Sequence, residues 1–443
     1  MTSRAPFLAV LSMSLLVTAC SGGGARVGAT DSAGGGDGDA AEDAADSDVA
    51  DPTPPRKLDV VLVVDDSSSM CAAQNALSES VAGFARRLAE LGVDARVGVT
   101  TTDMGCDPAP GVRAKGSFAG AAPLRFPPSC QERLRVACYD DADCAAAAGG
   151  EGAWRCLGPA TDPCVVLPSG WVASTCRRQC ETDAECVDRL GDPTAICQKL
   201  SENALDWGCV VPPRSAGCDG IGAGPTPWAE GPALDGLRCL ALVGVDQESC
   251  NRFEQGLGAG WAAVAPDGPN PAQAAAFRRR DADLAIVIVS NDDDCSLAPG
   301  GEVGEADQAR CALLADADAG GPLVAPAEVA RRFQDLAAAE GRVAYAVVAS
   351  GDSLAADPAA RDAERAAFLA DRGDEDHFCF NVAYICDGLA PSLWGRRYQA
   401  FVAAFGPRGG FVNLCRASAT ADALDQLVNL VALDQPTTAR RNR

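Results

Sequence analysis

The sequence predicts an α/β protein, a Rossmann-like, mainly parallel sheet of about six strands with helices on both faces and a disulfide-rich insertion. Three observations lead there. Short Val- and Ile-rich runs alternate with segments of helical period, the first of those runs is apolar almost throughout, and one long Cys-rich stretch breaks the alternation.

Regular structure is expected to begin at Leu58. Leu58 to Val64 is Val-rich and of strand length, which is how strands buried on both faces read. Val81, Phe84, Ala85, Leu88 and Leu91 recur at helical spacing, and 95–101 forms the next strand. After the interruption the alternation resumes with a helix over 253–264, a strand over 284–289, a helix over 326–339 and a strand over 343–348. A helix over 392–405, a strand over 411–414 and a helix over 420–431 follow. Strands that alternate with helices pair in parallel, because each crossover carries the chain back to the same edge.

The interruption, residues 105–234, differs in composition. It holds twelve cysteines, many prolines and glycines, and no sustained period. Loops of that length without structure of their own are rare inside compact domains, so it reads as a separately stapled module. Cys138-Tyr139-Asp140-Asp141-Ala142-Asp143-Cys144 and Cys180-Glu181-Thr182-Asp183-Ala184-Glu185-Cys186 are alike, and Cys156 and Cys197 follow them at similar distances. This is a degenerate internal repeat. Its acids are either calcium ligands or solvated turn residues.

At the other end, Arg4 precedes an apolar run from Ala5 to Val17 and the sequence Val17-Thr18-Ala19-Cys20. The run is too short to span a bilayer and suits a signal-peptide core. Val17 to Cys20 resembles the bacterial lipobox. That resemblance implies cleavage, lipidation of Cys20 and, with Ser21 following, an outer-membrane location in the cell envelope. No other apolar stretch has the length to cross a membrane, so acyl chains are expected to be the anchor. Residues 21–56 are Gly, Ala, Asp, Ser and Pro with almost no large apolar side chain, and read as a disordered acidic linker. The domain map is therefore 1–20 signal, 21–56 linker and 57–435 α/β domain, interrupted by 105–234.

Charge and cysteine content narrow the function. Sixty-one acidic against 37 basic residues give a net charge of -24, which repels phosphate backbones and argues against nucleic acid as a partner. Of 21 cysteines, setting aside Cys20 leaves an even number outside the reducing cytosol, so disulfides are expected. Zinc fits poorly, since His377 is the one histidine and no Cys-x-x-Cys knuckles occur. Cys239 with Cys250, Cys295 with Cys311 and Cys379 with Cys386 are nearest neighbours in sequence, although spacing does not set connectivity.

The residues with the most chemistry follow the first strand: Asp65-Asp66-Ser67-Ser68-Ser69-Met70. Ligands of open parallel sheets bind at the carboxyl ends of strands. Asp65, Ser67 and Ser69 supply hard oxygen donors suited to Mg²⁺ or Ca²⁺. The competing reading is that they cap the next helix.

This pattern resembles the metal-ion-dependent adhesion site of the von Willebrand factor A family, with Asp65, Ser67 and Ser69 at its Asp-x-Ser-x-Ser positions. The likeness extends to 97–103, 285–295, 343–352 and 410–415. Val-Val-Asp-Asp-Ser-Ser-Ser-Met, Val-Thr-Thr-Thr-Asp-Met and Val-Ser-Asn-Asp-Asp-Asp-Cys-Ser resemble, more narrowly, a group of secreted lipoproteins of myxobacteria. The resemblance implies two further ligands, and the chain departs at both. Val245 falls near the expected threonine, and Asn291 stands where an aspartate is expected. Asn291 offers a neutral carbonyl, whereas Asp292 supplies a carboxylate if the turn shifts by one residue. The alternative for 292–294 is an exposed acidic turn.

An enzyme reads less well. His377 is the single candidate imidazole base, in a polar stretch near Cys379, and phosphate-loop, nucleophile-elbow and zinc-protease motifs are absent from the sequence. The expected function is cation-dependent binding of an extracellular or envelope protein ligand by a lipid-anchored protein. The alternatives are a metal-free scaffold that binds through the insertion and an envelope hydrolase using Ser67 or Ser69.

Overall fold

The computed structural model describes residues 55–67, 70–105, 113, 115–118, 133–138, 141–147, 154–157, 174–190, 195–199, 207–210, 218, 226–231, 234, 236–244, 254–303, 311, 313–353, 355, 357–370, 394–416 and 418–434. All belong to one compact unit, Pro54–Arg443. Cys20, the linker to residue 54, Ser69, Val245, Cys250, His377, Cys379 and Cys386 lie outside the described residues.

The first strand, β1 (Arg56–Val64), is buried over its last seven residues. It turns into α1 (Cys71–Glu90), which returns the chain to β2 (Val93–Thr101), parallel to β1. The insertion then builds β3 (Arg133–Cys138), α2 (Asp141–Ala147), β4 (Trp154–Leu157) and β5 (Ser174–Arg178), followed by α3 (Asp183–Leu190), β6 (Ile196–Lys199) and β7 (Trp207–Val210).

The sequence repeat is also a repeat of structure. Each copy is a short helix followed by an antiparallel pair in which two cysteines face each other, Cys156 with Cys176 and Cys197 with Cys209. In each, the helix cysteine bonds the second of that pair: Cys144 to Cys176 and Cys186 to Cys209. The second copy is also closed by Cys180 to Cys197. Asp141 accepts the Cys156 N–H at 2.8 Å, and Asp183 accepts the Cys197 N–H at 2.7 Å. These repeat acids therefore hold their own hairpins.

The chain rejoins the main sheet through β8 (Trp228–Glu230), antiparallel to β2. Next come α4 (Leu237–Leu240), α5 (Gly256–Val264), α6 (Pro271–Phe277), β9 (Ala282–Val289), α7 (Pro326–Ala338), β10 (Ala344–Ser350), α8 (Pro358–Ala370), α9 (Arg396–Ala403), β11 (Gly409–Asn413) and α10 (Ala419–Leu433). The strand order is β11-β10-β9-β1-β2-β8, with every pairing parallel except that of β8.

Alternation along β1 sorts the core into two layers. Leu58, Val60, Leu62 and Val64 pack with Phe84 and Leu88 of α1 and Leu424 and Leu427 of α10. Val61 and Val63 pack on the opposite face with Leu257 of α5, Phe333 of α7 and Phe401 of α9. Each fully buried aliphatic side chain contributes about 1.5–3 kcal/mol of transfer free energy, which explains why β1 needs no alternation of polarity. Gly260 of α5 lies so close to Ile286 of β9 that a β-carbon would collide with it.

Two expectations need correction. Within 105–234, β8 is the sixth strand of the main sheet, and Phe118 packs 4.6 Å from the Phe277 ring. Three residues of strand are too few to show a period. Cys239 bonds Cys218, not Cys250, because the return of the chain through β8 brings residue 218 within 5.3 Å of α4. Cys295 does bond Cys311, and Cys156 and Cys415 are also disulfide-bonded.

Candidate metal centre

In chain order the parallel strands run outward in both directions from the β1–β9 pair, so the strand order reverses there. Crossovers leave on opposite faces at such a point and open a crevice at the carboxyl ends. Asp65 follows β1 at this edge, with none of its surface exposed. Its N–H donates to the Val289 carbonyl at 3.0 Å. Its carboxylate accepts the Ser67 N–H at 2.7 Å and the Ser290 hydroxyl at 2.7 Å. The Asn291 N–H also donates to it. From α1, the Gln74 amide bonds the carbonyls of Asp65 and Gly244, each at 2.9 Å, and pins the turn. Met70 is the N-cap of α1, and the Asp65 carboxylate and Ser67 hydroxyl face residues 290 and 291.

The loop after β9 supplies the opposite wall. Asn291 is buried, and its Oδ1 lies 3.5 Å from the Ser67 hydroxyl. Among the described residues, the acids that converge on Asp65 are Asp292 and Glu254, whose oxygens and that of Asp65 all lie within 4.8 Å of one another. Asp293 and Asp294 turn the other way and are buried. Asp293 accepts the Arg397 N–H at the start of α9, and Asp294 accepts the Leu257 N–H of α5 at 3.0 Å and the Ser296 hydroxyl at 2.6 Å. The run 292–294 is therefore no exposed acidic turn: Asp293 and Asp294 serve helix N-termini, where carboxylates are stabilised.

Glu254 escaped the sequence reading. It precedes α5, nine positions beyond Val245, where no periodicity marks a lone acid. Thr102, just past β2, donates its hydroxyl to the Glu254 carboxylate. The Gln255 N–H reaches the Thr102 carbonyl at 3.1 Å, and the Cys295 N–H reaches the Glu254 carbonyl at 2.7 Å. The ends of β1, β2 and β9 thus each fix one piece of the cluster. The one available signal was an acid directly before a helix at the carboxyl edge of the sheet.

The electrostatics are one-sided. Burial raises the Asp65 carboxyl above its usual range, against the hydrogen bonds from Ser290, Ser67 and Asn291. Burial, followed by the charges of Asp65, Asp66, Asp292 and Asp103, pushes Glu254 well up. Among the described residues neither Asp65 nor Glu254 makes an ion pair with an arginine or lysine. Arg113, buried near Asp66, is lowered by burial to about 10. Three carboxylates this close repel one another, and a hard dication relieves that repulsion. The donor set is all oxygen, as Mg²⁺ and Ca²⁺ require.

The chain matches no protein-family model, and no curated protein is similar to it.

Proposed function

We propose that this chain is a lipid-anchored envelope protein that binds a protein partner through a Mg²⁺ or Ca²⁺ ion held by Asp65, Glu254 and Asp292. The observation that carries the reading is the convergence of those three carboxylates within 4.8 Å at the reversal of strand order. Ser67 lies in the same turn, and the motif adds Ser69. In this reading Asp292 replaces the aspartate that the von Willebrand factor A resemblance expects at 291, and Glu254 replaces its threonine. The ion would polarise and orient a donor group of the partner. Serine, carboxylate and amide groups of this chain would hold the ion.

The disulfides fit an oxidising compartment, and among the described residues no helix is long and apolar enough to cross a membrane. Attachment through Cys20 to the outer membrane rests on the lipobox resemblance. Replacing Cys20 with Ser is expected to move the protein from the membrane to the soluble fraction. Calorimetric titration with Mg²⁺ and Ca²⁺ tests the ion site, with binding expected for the wild type and lost in Asp65→Ala, Glu254→Gln and Asp292→Ala. A wild type that binds neither ion at millimolar concentration leaves a metal-free scaffold. Hydrolytic activity lost on Ser67→Ala would instead make the protein a hydrolase.

A further inference from the structure

Behind the acidic cluster lies a second buried arginine, which among the described residues pairs with none of the three proposed ligands. Arg397, in the first turn of α9, has 5% of its side chain exposed. Its Nε meets Asp294 at 3.3 Å, its other guanidinium nitrogens meet Asp316 and the Val324 carbonyl, and its backbone N–H donates to both oxygens of Asp293, at 3.1 and 3.2 Å. Three stretches of chain meet on this one side chain: the turn after β9 and the stretches around Asp316 and Val324 that precede α7.

Asp294 is the link to the cluster. While one oxygen faces Arg397, the other accepts the Leu257 N–H, which places the start of α5 against the turn after β9. Next to it, the Cys295 N–H holds the Glu254 carbonyl. Asp292 and Glu254 therefore sit on two segments joined through Asp294 and Cys295, and Arg397 anchors the joint from behind. An arginine suits that task because its planar fork serves several acceptors at once with one rigid group.

We propose that Arg397 is a positioning residue of the cation site: it sets the separation of Asp292 and Glu254 without contacting the ion. This rests on the reading of that cluster as an ion site. Loss of the guanidinium frees the turn after β9, and the two carboxylates no longer meet at liganding distance.

The experiment is Ca²⁺ titration calorimetry on the full chain, with thermal unfolding in parallel. Arg397→Met is expected to weaken Ca²⁺ binding at least tenfold, and Arg397→Lys to recover part of it. Because Arg397→Met leaves two buried carboxylates without their cation and can unfold the domain, Asp316→Asn is the second variant. It removes only the outer anchor, from a carboxylate 33% exposed, and is expected to weaken binding severalfold with the melting temperature nearly unchanged. Wild-type affinity in both Arg397→Lys and Asp316→Asn would overturn the positioning role even if Arg397→Met fails to fold. If the wild type itself binds no Ca²⁺, the ion site falls, and the positioning role with it.

Discussion

The two ends of β1 each bury an aspartate, and they treat it in opposite ways. Asp59, near the start, is 1% exposed and meets Arg279, whose Nε lies 2.7 Å away and whose backbone N–H lies 2.6 Å away; the same guanidinium reaches Asp94. At this edge Arg56 likewise joins Asp283 and Tyr345. Asp65, just past the other end, is equally buried but receives only neutral donors, with two further acids close by. Burial raises both carboxyls, and only Asp59 has an arginine working against it. A fold that supplies arginines at one edge can supply them at the other. Among the described residues none pairs with Asp65 or Glu254, a charge deficit that a bound cation would fill, whereas at the first edge Arg279 meets Asp59.

The largest effect belongs to the completed edge. Asp59→Ala leaves Arg279 without its closest partner and is expected to cost about 3 kcal/mol in denaturant unfolding, with dication affinity unchanged. A loss under about 1 kcal/mol would show that edge to be as tolerant as the other.

Next in size is the response to ions. Ca²⁺ at a hundred times its dissociation constant should stabilise the wild type by about 2.7 kcal/mol, with no such gain in Asp65→Ala. Equal stabilisation of both proteins would place the ion elsewhere.

The pH dependence sharpens the contrast further. Burial pushes the Asp293 carboxyl up to about 7 from an ordinary value of 3.8, and Glu254 moves the same way. The folded state thus holds protons that the unfolded chain has released. For Asp293 that stabilisation is fully present below pH 3.8 and is lost as pH rises through about 7. Within that window Asp293 changes stability by roughly 1.4 kcal/mol per pH unit. Unfolding of the cation-free protein at pH 5 and pH 7.5 is expected to show greater stability at pH 5. Ca²⁺ should narrow the gap by taking the place of the Glu254 proton, and a gap unaffected by Ca²⁺ would detach Glu254 from the ion.

The smallest effect is at Asn291. Asn291→Asp adds a carboxylate beside Ser67 and is expected to raise dication affinity about tenfold, or about 1.4 kcal/mol, while lowering cation-free stability through added repulsion. Unchanged affinity would mean that residue 291 faces the site through its backbone alone.

Much of the fold was legible along the chain. The runs at 58–64, 284–289 and 343–348 are apolar enough to be buried on both faces, and they became β1, β9 and β10 with small shifts at their ends. The turn Asp65-x-Ser67 was visible as oxygen donors directly after a strand. What remained open was which acid meets it, since both registers of the turn at 291–292 satisfy the sequence equally. Glu254 offered only its place near the start of a helix and Arg397 offered nothing, because no local pattern distinguishes a buried charge from a solvated one.

The sequence by itself determined the alternation of five strands of the main sheet with five of its helices, the Cys-rich interruption with its repeat, and the acid-and-serine turn after the first strand. These are set by side-chain period and by residue type within a few positions, and such information is local. Only the tertiary structure decided that β8 closes the sheet, that Cys239 bonds Cys218, and that Asp65, Glu254 and Asp292 share one space while Asp293 and Asp294 turn back to Arg397. Those outcomes join residues far apart in the chain, and their partners are chosen by crossover geometry and by the cost of burying a charge without a partner.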